Sequence, residues 1–347
     1  MIGDKLRGSR LRAGLSLRAL EDKIGKKVTA QAIGKYERGD MQPQAQILDI
    51  LASALGVTRD FLETEQSIEL GTIDFRENTI RSKSEERSVE NTIYNYVRNY
   101  LFIEELLDVV AEKWEKPRYY PLPVTDILDA ELAAHKLRDD WQIGDDPIPN
   151  FSEILEERGF KIILHELPKS IAGVTCFVNT NRGWNVPVIL ISDKITGERQ
   201  RFTIAHEIGH LLLENTNKLP NFEKVCDMFA GAFLMPKRFM WTALGKTRNN
   251  IDIRELISLK KFLGVSVQAI VFRCKQIGII TDYTYRQLFK EFSHKGWLTP
   301  PYNEPEKMEI EKPLRFKRLC LRAYAENIIT KEKAAELLGN DFNNNIK

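Results

Sequence analysis

Apolar residues recur along this chain at spacings that separate helices from strands. Near the amino end, Ile2, Leu6 and Leu11 mark a first helix, and Leu15-Ser16 opens a second with Ser16 as its N-cap. Gly25-Lys-Lys makes a turn, Val28 to Gly39 a third helix closed by that glycine, and Asp49 to Leu62 one or two more. Residues 64 to 88 are polar and charged and read as a linker, with Asp74-Phe-Arg76 as a small apolar anchor. From 89 to 116 a wide apolar stripe, from Ile93, Val97 and Leu101 on to Val110 and Ala111, predicts one long helix. Such a stripe serves equally for packing on the body or for a dimer contact. Pro117 to Pro123 breaks it, and residues 126 to 141 form another helix.

The period then changes. Phe151 to Arg158 is helical, while Phe160 to His165, Ile171 to Val178 and Val186 to Ile191 read as strands. The last of these, as an exposed edge, would let a peptide pair with it. Two amphipathic helices come next, Phe202 to Leu213 and one around Val225 to Phe233, joined by a turn over Asn215 to Asn221 with Pro220. About three strands beside two helices make a small α+β core in a mainly α chain. After Pro236 the chain is helical again; Arg254 to Arg273 has the shape of a second helix-turn-helix, and Lys331 to Leu338 starts a further helix.

The chemistry sits in the first of the paired helices. His206-Glu207-Ile208-Gly209-His210 is an H-E-x-x-H sequence in a chain with five His. Four residues are just over one helical turn, so both imidazoles share a face and can bind one Zn²⁺, with Glu207 acting on its water. A third ligand is needed, and no other His is close: the remaining three are His135, His165 and His294. Glu223 is the expected ligand, because a helical hairpin brings it back over the His pair. Glu214, two turns from His206, and Cys226 are the alternatives. Asp227, one turn after Glu223, suits an acceptor for the N–H of a ligand His. Arg273, Tyr283 and Tyr285 are candidate donors to an oxyanion, with none assigned. A His₂-carboxylate set also accepts Mn²⁺ or Fe²⁺.

Glu198-Arg-Gln-Arg-Phe-Thr-Ile-Ala-His-Glu-Ile-Gly-His-Leu-Leu-Leu213, followed by Glu223-x-x-x-Asp227 and Phe233-Leu-Met-Pro236, resembles the ImmA/IrrE metallopeptidases. The resemblance implies a gluzincin-type core with His206, His210 and Glu223 as zinc ligands. It further implies Glu207 as general base and Asp227 as the group behind a ligand His.

Residues 2 to 63 resemble the Xre, lambda-repressor-like, helix-turn-helix family, by Ala32-Ile33, Tyr36-Glu37-Arg38-Gly39, Pro43 and Ala54-Leu55-Gly56-Val57. The third helix would then enter the major groove of double-stranded DNA, with Thr29, Ala30, Gln31, Gly34, Lys35 and Arg38 at contacting positions. Ile33 and Tyr36 are expected to pack inward. Two positions depart from that family: Leu17 stands where it usually has Gln, and Glu21 where it usually has Ala.

Lys and Arg number 51 against 49 Asp and Glu, a net charge of +2, so an overall basic balance is not what draws this chain to DNA. Local charge in residues 2 to 40 has to do that. Hydrophobic content of 43% and charged content of 29% are those of a globular protein. Four scattered Cys, no apolar leader and no membrane-length run suggest a cytoplasmic protein with no membrane partner.

The expected organisation is a helix-turn-helix domain at 1–65, a linker and spacer helix at 66–116, a peptidase core at 117–247 and a helical domain at 248–347. The resemblance implies a regulator that cleaves a protein substrate such as an Xre-type repressor or antitoxin, with a homodimer suggested by two-fold operators. Self-cleavage within 64 to 88 is a further option. The rival readings are a repressor or antitoxin whose metallopeptidase-like domain senses a ligand or holds a partner, and a peptidase whose amino-terminal domain binds protein.

Overall fold

The computed structural model describes the whole chain except residues 1, 64–67, 74–81, 110–113, 115, 169–170, 182, 184, 300–301, 340–341 and 343–347. The Asp74–Arg76 anchor, Val110, Ala111 and most of the Asn-rich carboxyl end therefore lie outside the described residues.

The amino-terminal helices are α1 (Ile2–Arg12), α2 (Leu17–Lys23), α3 (Ala30–Arg38), α4 (Ala45–Leu55) and α5 (Arg59–Glu63). Ser16 caps α2, its hydroxyl accepting from Ala19 N at 3.0 Å. Gly39 ends α3 at φ 78°, where a side chain would be strained. Leu6, Leu20, Ile33, Leu48 and Leu51 fill the centre of this bundle. Arg10 clamps α1 to α3 through a bidentate pair with Glu37 at 2.6 and 2.8 Å.

The body of the chain is built on a sheet covered on both faces. β1 (Ile68–Leu70) precedes α6 (Lys83–Leu106), β2 (Leu122–Val124), α7 (Asp129–Asp140) and α8 (Phe151–Glu157). Then come β3 (Lys161–His165), β4 (Gly173–Thr180), β5 (Asn185–Ser192), α9 (Gly197–Leu212), β6 (Leu213–Asn215) and α10 (Phe222–Leu234). The main sheet runs β1-β4-β5-β3, and β2 pairs with β6 in a separate parallel ribbon. Two sequence expectations change here. Among the described residues the sheet has four strands, because residues 68 to 70 of the expected linker pair antiparallel with Val178 to Thr180. Val186 to Ile191 is not an edge: β5 is flanked by β4 antiparallel and β3 parallel. Its unbroken apolar run is what a strand buried on both faces requires.

One face of the sheet, with Ile162, Ile189 and Ile191, packs on α7 to α10. The other, with Ile163, Val174, Cys176, Val178 and Leu190, packs on α6. Helix α6 starts with a capping box at Ser82 and Glu85, earlier than the periodicity suggested, and ends at Leu106 instead of 116. Its stripe is wide because it serves two partners inside the chain. Val89, Ile93 and Val97 meet the sheet, whereas Tyr100, Ile103 and Leu106 meet the tail.

The tail comprises α11 (Lys237–Leu244), α12 (Ile253–Leu263), α13 (Val267–Gln276), α14 (Asp282–His294), α15 (Arg315–Ala325) and α16 (Lys331–Leu338). Between α14 and α15 an extended strap crosses the start of α9. Met308 O accepts from Gly197 N at 2.9 Å, and Gln200 and Glu311 exchange two hydrogen bonds of 2.7 Å. Arg201, 1% exposed in its side chain, pairs there with Glu311. The amino-terminal bundle docks on this body through Lys5, whose ammonium, 3.1 Å from Glu105 of α6, also donates to Phe61 O at 2.8 Å. No helix of the described residues is long and apolar enough to cross a membrane.

Candidate metal centre and nucleic-acid interface

Helices α9 and α10 approach closely because Gly209 faces Cys226; a Cβ on Gly209 would stand 3.2 Å from the Cys226 Cβ. Cys226 is wholly buried in this contact, where burial raises its thiol pKa against a hydrogen bond with His210, and it falls outside the group of His206, His210 and Glu223 that come together at one point. The close hairpin brings Glu223, in the first turn of α10, over the two histidines. Glu214 does not continue their face, since α9 ends at Leu212 and Glu214 is exposed in β6.

His206 Nε2 lies 3.1 Å from His210 Nε2 and 3.4 Å from Glu223 Oε2, and His210 Nε2 lies 3.3 Å from Glu223 Oε1. Ligands held ~2.0–2.1 Å from one tetrahedral ion are ~3.3 Å apart, so this donor set fits zinc in spacing as well as in chemistry. Among the described residues, His206, His210 and Glu223 are the group of His, Cys, Asp or Glu brought close enough to share an ion. Three protein ligands leave the fourth position of such an ion open.

Behind the cluster, His206 Nδ1 meets Asp227 Oδ1 at 2.8 Å, which fixes the ring and leaves Nε2 for the ion. Burial pulls the His206 pKa down, but hydrogen bonds with Asp227 and Glu223 outweigh it and leave it raised. Hydrogen bonds from His206 and His210 hold the Glu223 carboxyl far below the usual carboxylate range. Glu207 is 2% exposed and lies beside the first residue of β4. A Cβ on Gly173 would come 3.3 Å from its Oε1 and 2.8 Å from Ile191 Cδ1 and Thr203 Cγ2. Nothing in the sequence singled out Gly173; its role needs the sheet in place.

Of the three candidate oxyanion donors, Arg273 is committed elsewhere. It is fully buried, pairs with Glu131 at 2.6 and 2.7 Å and donates to Met235 O, tying α7, α10 and α13 together. Tyr283 is 72% exposed on α14, and Tyr285 lines a separate cavity.

In the amino-terminal bundle, Gln31, Lys35 and Arg38 are exposed on α3, and Ala30 is half-buried. Thr29 is exposed and caps α3, its hydroxyl accepting from Ala32 N at 3.2 Å. Gly34 is a correction: it is buried, with a Cβ there meeting Leu17 Cδ1 at 3.5 Å and Arg38 Nη1 at 3.3 Å, so it packs helix against helix. Both departures from the Xre pattern acquire roles. Leu17 fills that contact, and Glu21 accepts from Ala30 N at 3.1 Å, satisfying a donor at the start of α3. Ile33 and Tyr36 point into the core, as expected.

Residues 6–62 match the model of the helix-turn-helix family, and residues 155–275 match the IrrE N-terminal-like domain of peptidase family M78. The chain thus carries a helix-turn-helix domain at its amino end and an IrrE/ImmA-like peptidase-family domain after it. Over 62 residues it is 39% identical to the SPbeta prophage-derived uncharacterized HTH-type transcriptional regulator YonR of Bacillus subtilis (strain 168). That alignment covers 18% of this chain, and the chain spans about half the length of that relative, 56%.

Proposed function

We propose that this chain is a DNA-binding transcription regulator whose IrrE-like domain is a zinc endopeptidase. The observation that carries this reading is the convergence of His206, His210 and Glu223 on one point with Glu207 buried beside it. When bound, zinc supplies Lewis acidity, acidifying water and polarising a carbonyl oxygen. The chain's own residues do the rest. Glu207 takes a proton from the attacking water and delivers it to the leaving amine nitrogen. Asp227 holds the His206 tautomer through that transfer. The buried setting of Glu207 and His206 excludes bulk water and strengthens both interactions.

The substrate class proposed is a protein, an Xre-type repressor or antitoxin, and the operator is double-stranded DNA contacted by Gln31, Lys35 and Arg38. The relative's designation as a helix-turn-helix regulator supports the DNA half of this reading. The domain division proposed is 1–65, 66–116, 117–247 and 248–347, with β1 of the second part completing the sheet of the third.

The test is metal content by mass spectrometry together with gel analysis of cleavage, using the protein encoded beside this one as substrate. The native chain is expected to hold one zinc and to cleave; His206→Ala loses both. Glu207→Gln keeps the zinc and loses cleavage by about a hundredfold to ten-thousandfold. A chain with no metal overturns the site. Zinc without cleavage moves the reading to a regulator that binds a ligand or partner there without proteolysis.

A further inference from the structure

The tail helices close over one end of the α9–α10 groove and leave a cavity of about 600 Å³. Phe202 and Arg199 line it from α9, one and two turns before His206 on the same helix face. Gly231 lines it from α10, one turn past Asp227. Asp227 belongs to both sites: it lines the cavity and holds His206 Nδ1. The nitrogen facing Glu223 and His210 is Nε2. The cavity therefore adjoins the metal centre, while none of His206, Glu207, His210 and Glu223 lines it.

The wall is aromatic. Phe202, Phe272, Tyr285, Phe289 and Trp297 line it, and Phe272, Tyr285 and Phe289 follow one another at centroid separations of 6.4 and 4.3 Å. Nearly every charged group in the wall is engaged within the protein. Lys260 pairs with Glu198 at 2.8 Å and with Glu304 at 2.7 Å. Glu198 is held further by Met308 N, by Thr196 and by its own backbone N–H. Arg273 is paired with Glu131, and Lys194 lies 3.6 Å from Asp193 and 3.7 Å from Glu166. Lys307 has a partner of its own. Such a wall gives a highly polar ligand little to bond with, and burying it there is costly. Arg199 is the exception. It is exposed, and among the described residues no carboxylate stands within ion-pair distance of it.

We propose that this cavity binds an aromatic monocarboxylate of two or three fused rings. The rings pack on the aromatic wall, where offset and edge-to-face contacts favour flat aromatic surface. The carboxylate meets the Arg199 guanidinium, whose planar fork takes both oxygens. Arg199 precedes His206 by seven residues of helix, about 10 Å, so the ligand's charge lies away from the Asp227 carboxylate. The volume is that of a small-molecule site. Through Asp227, such a ligand touches the group that orients His206 and leaves the metal position itself open.

The test is isothermal titration calorimetry on the full chain, zinc-free and zinc-loaded. The probes are 2-naphthoate, its neutral analogue 2-naphthamide, read by displacement of naphthoate, and acetate. Naphthoate is expected to bind one-to-one with Kd below about 100 μM, and about tenfold tighter than the amide. Arg199→Ala weakens naphthoate about tenfold and leaves the amide unchanged. Phe272→Ala weakens both, by about threefold to tenfold. Both side chains are exposed, so neither variant puts the fold at stake. Weaker naphthoate binding than that, or an affinity that neither variant moves, overturns the proposal. So does the amide binding as tightly as the acid, which would leave Arg199 without a role. Acetate binding as tightly as naphthoate would mean anion capture alone and overturns it equally. The zinc-free arm excludes capture of the carboxylate by the metal, and it reads the cavity whether or not the zinc peptidase reading holds.

Discussion

At the scale of single residues, Asp227 and His206 are the most informative pair. Replacing Asp227 by Asn removes the carboxylate that holds His206 Nδ1. Zinc affinity, measured by chelator competition, is expected to fall about tenfold to a hundredfold while the fold persists. The same pair sets a pH dependence in the metal-free chain. His206 has a raised folded pKa, so its contribution to stability is fully present below its unfolded value of 6.5 and is lost as pH rises through the folded value. Urea unfolding in chelator should therefore show a component of stability that is lower at alkaline than at mildly acidic pH. His206→Gln should remove that component, and an unchanged profile would contradict the assignment. That His206 and His210 share a face was legible in the sequence, because spacing on one helix is a local property; that Glu223 and Asp227 come back to them rested on the expected hairpin, and the structure brings them together. Gly34 was misread because an exposed and a buried face differ by one residue on α3, and only the Leu17 contact decides which is which.

At the scale of elements, the fit between β4 and α9 decides whether Glu207 is held in place. A Cβ on Gly173 meets atoms of β5 and α9 at 2.8 Å before it reaches Glu207. Gly173→Ala is thus expected to cost about 1–3 kcal/mol in urea unfolding and to lower cleavage by displacing Glu207, with zinc content unchanged. Full activity in that variant would show that the strand yields. Helix identities along the chain came from apolar spacing, and the end of α3 from its glycine. The sheet was less legible. β1 has three residues, too few for a period, and β5 is apolar on both faces, so its interior position could not be told from an edge. The strap over α9 has no repeating pattern, and its partners are about 110 residues away, as Gln200 and Glu311 are.

At the scale of the molecule, the amino-terminal bundle meets the body along α1, where Gly8 lies against Leu106 and Ile328 and Lys5 pairs with Glu105. The Lys5 side chain is 3% exposed, and that of Glu105 5%. Removing one member of a buried ion pair costs up to about 3–5 kcal/mol. Lys5→Ala should thus loosen the joint between bundle and body. Amide hydrogen exchange should rise in α1 and at the end of α6 while the centre of the sheet stays protected; unchanged exchange at both would refute the joint. None of this was visible in the sequence, where Lys5 reads as one more basic residue of a DNA-binding head. The pairing of β1 with β4 bears on what scission would do. Ile68 to Leu70 lie upstream of α6 yet are stitched into the sheet on the other side of it. A cut anywhere between residues 72 and 82 would leave that stitch intact. The two pieces would stay together as a split protein, nicked but not parted, until the strand itself was peeled away.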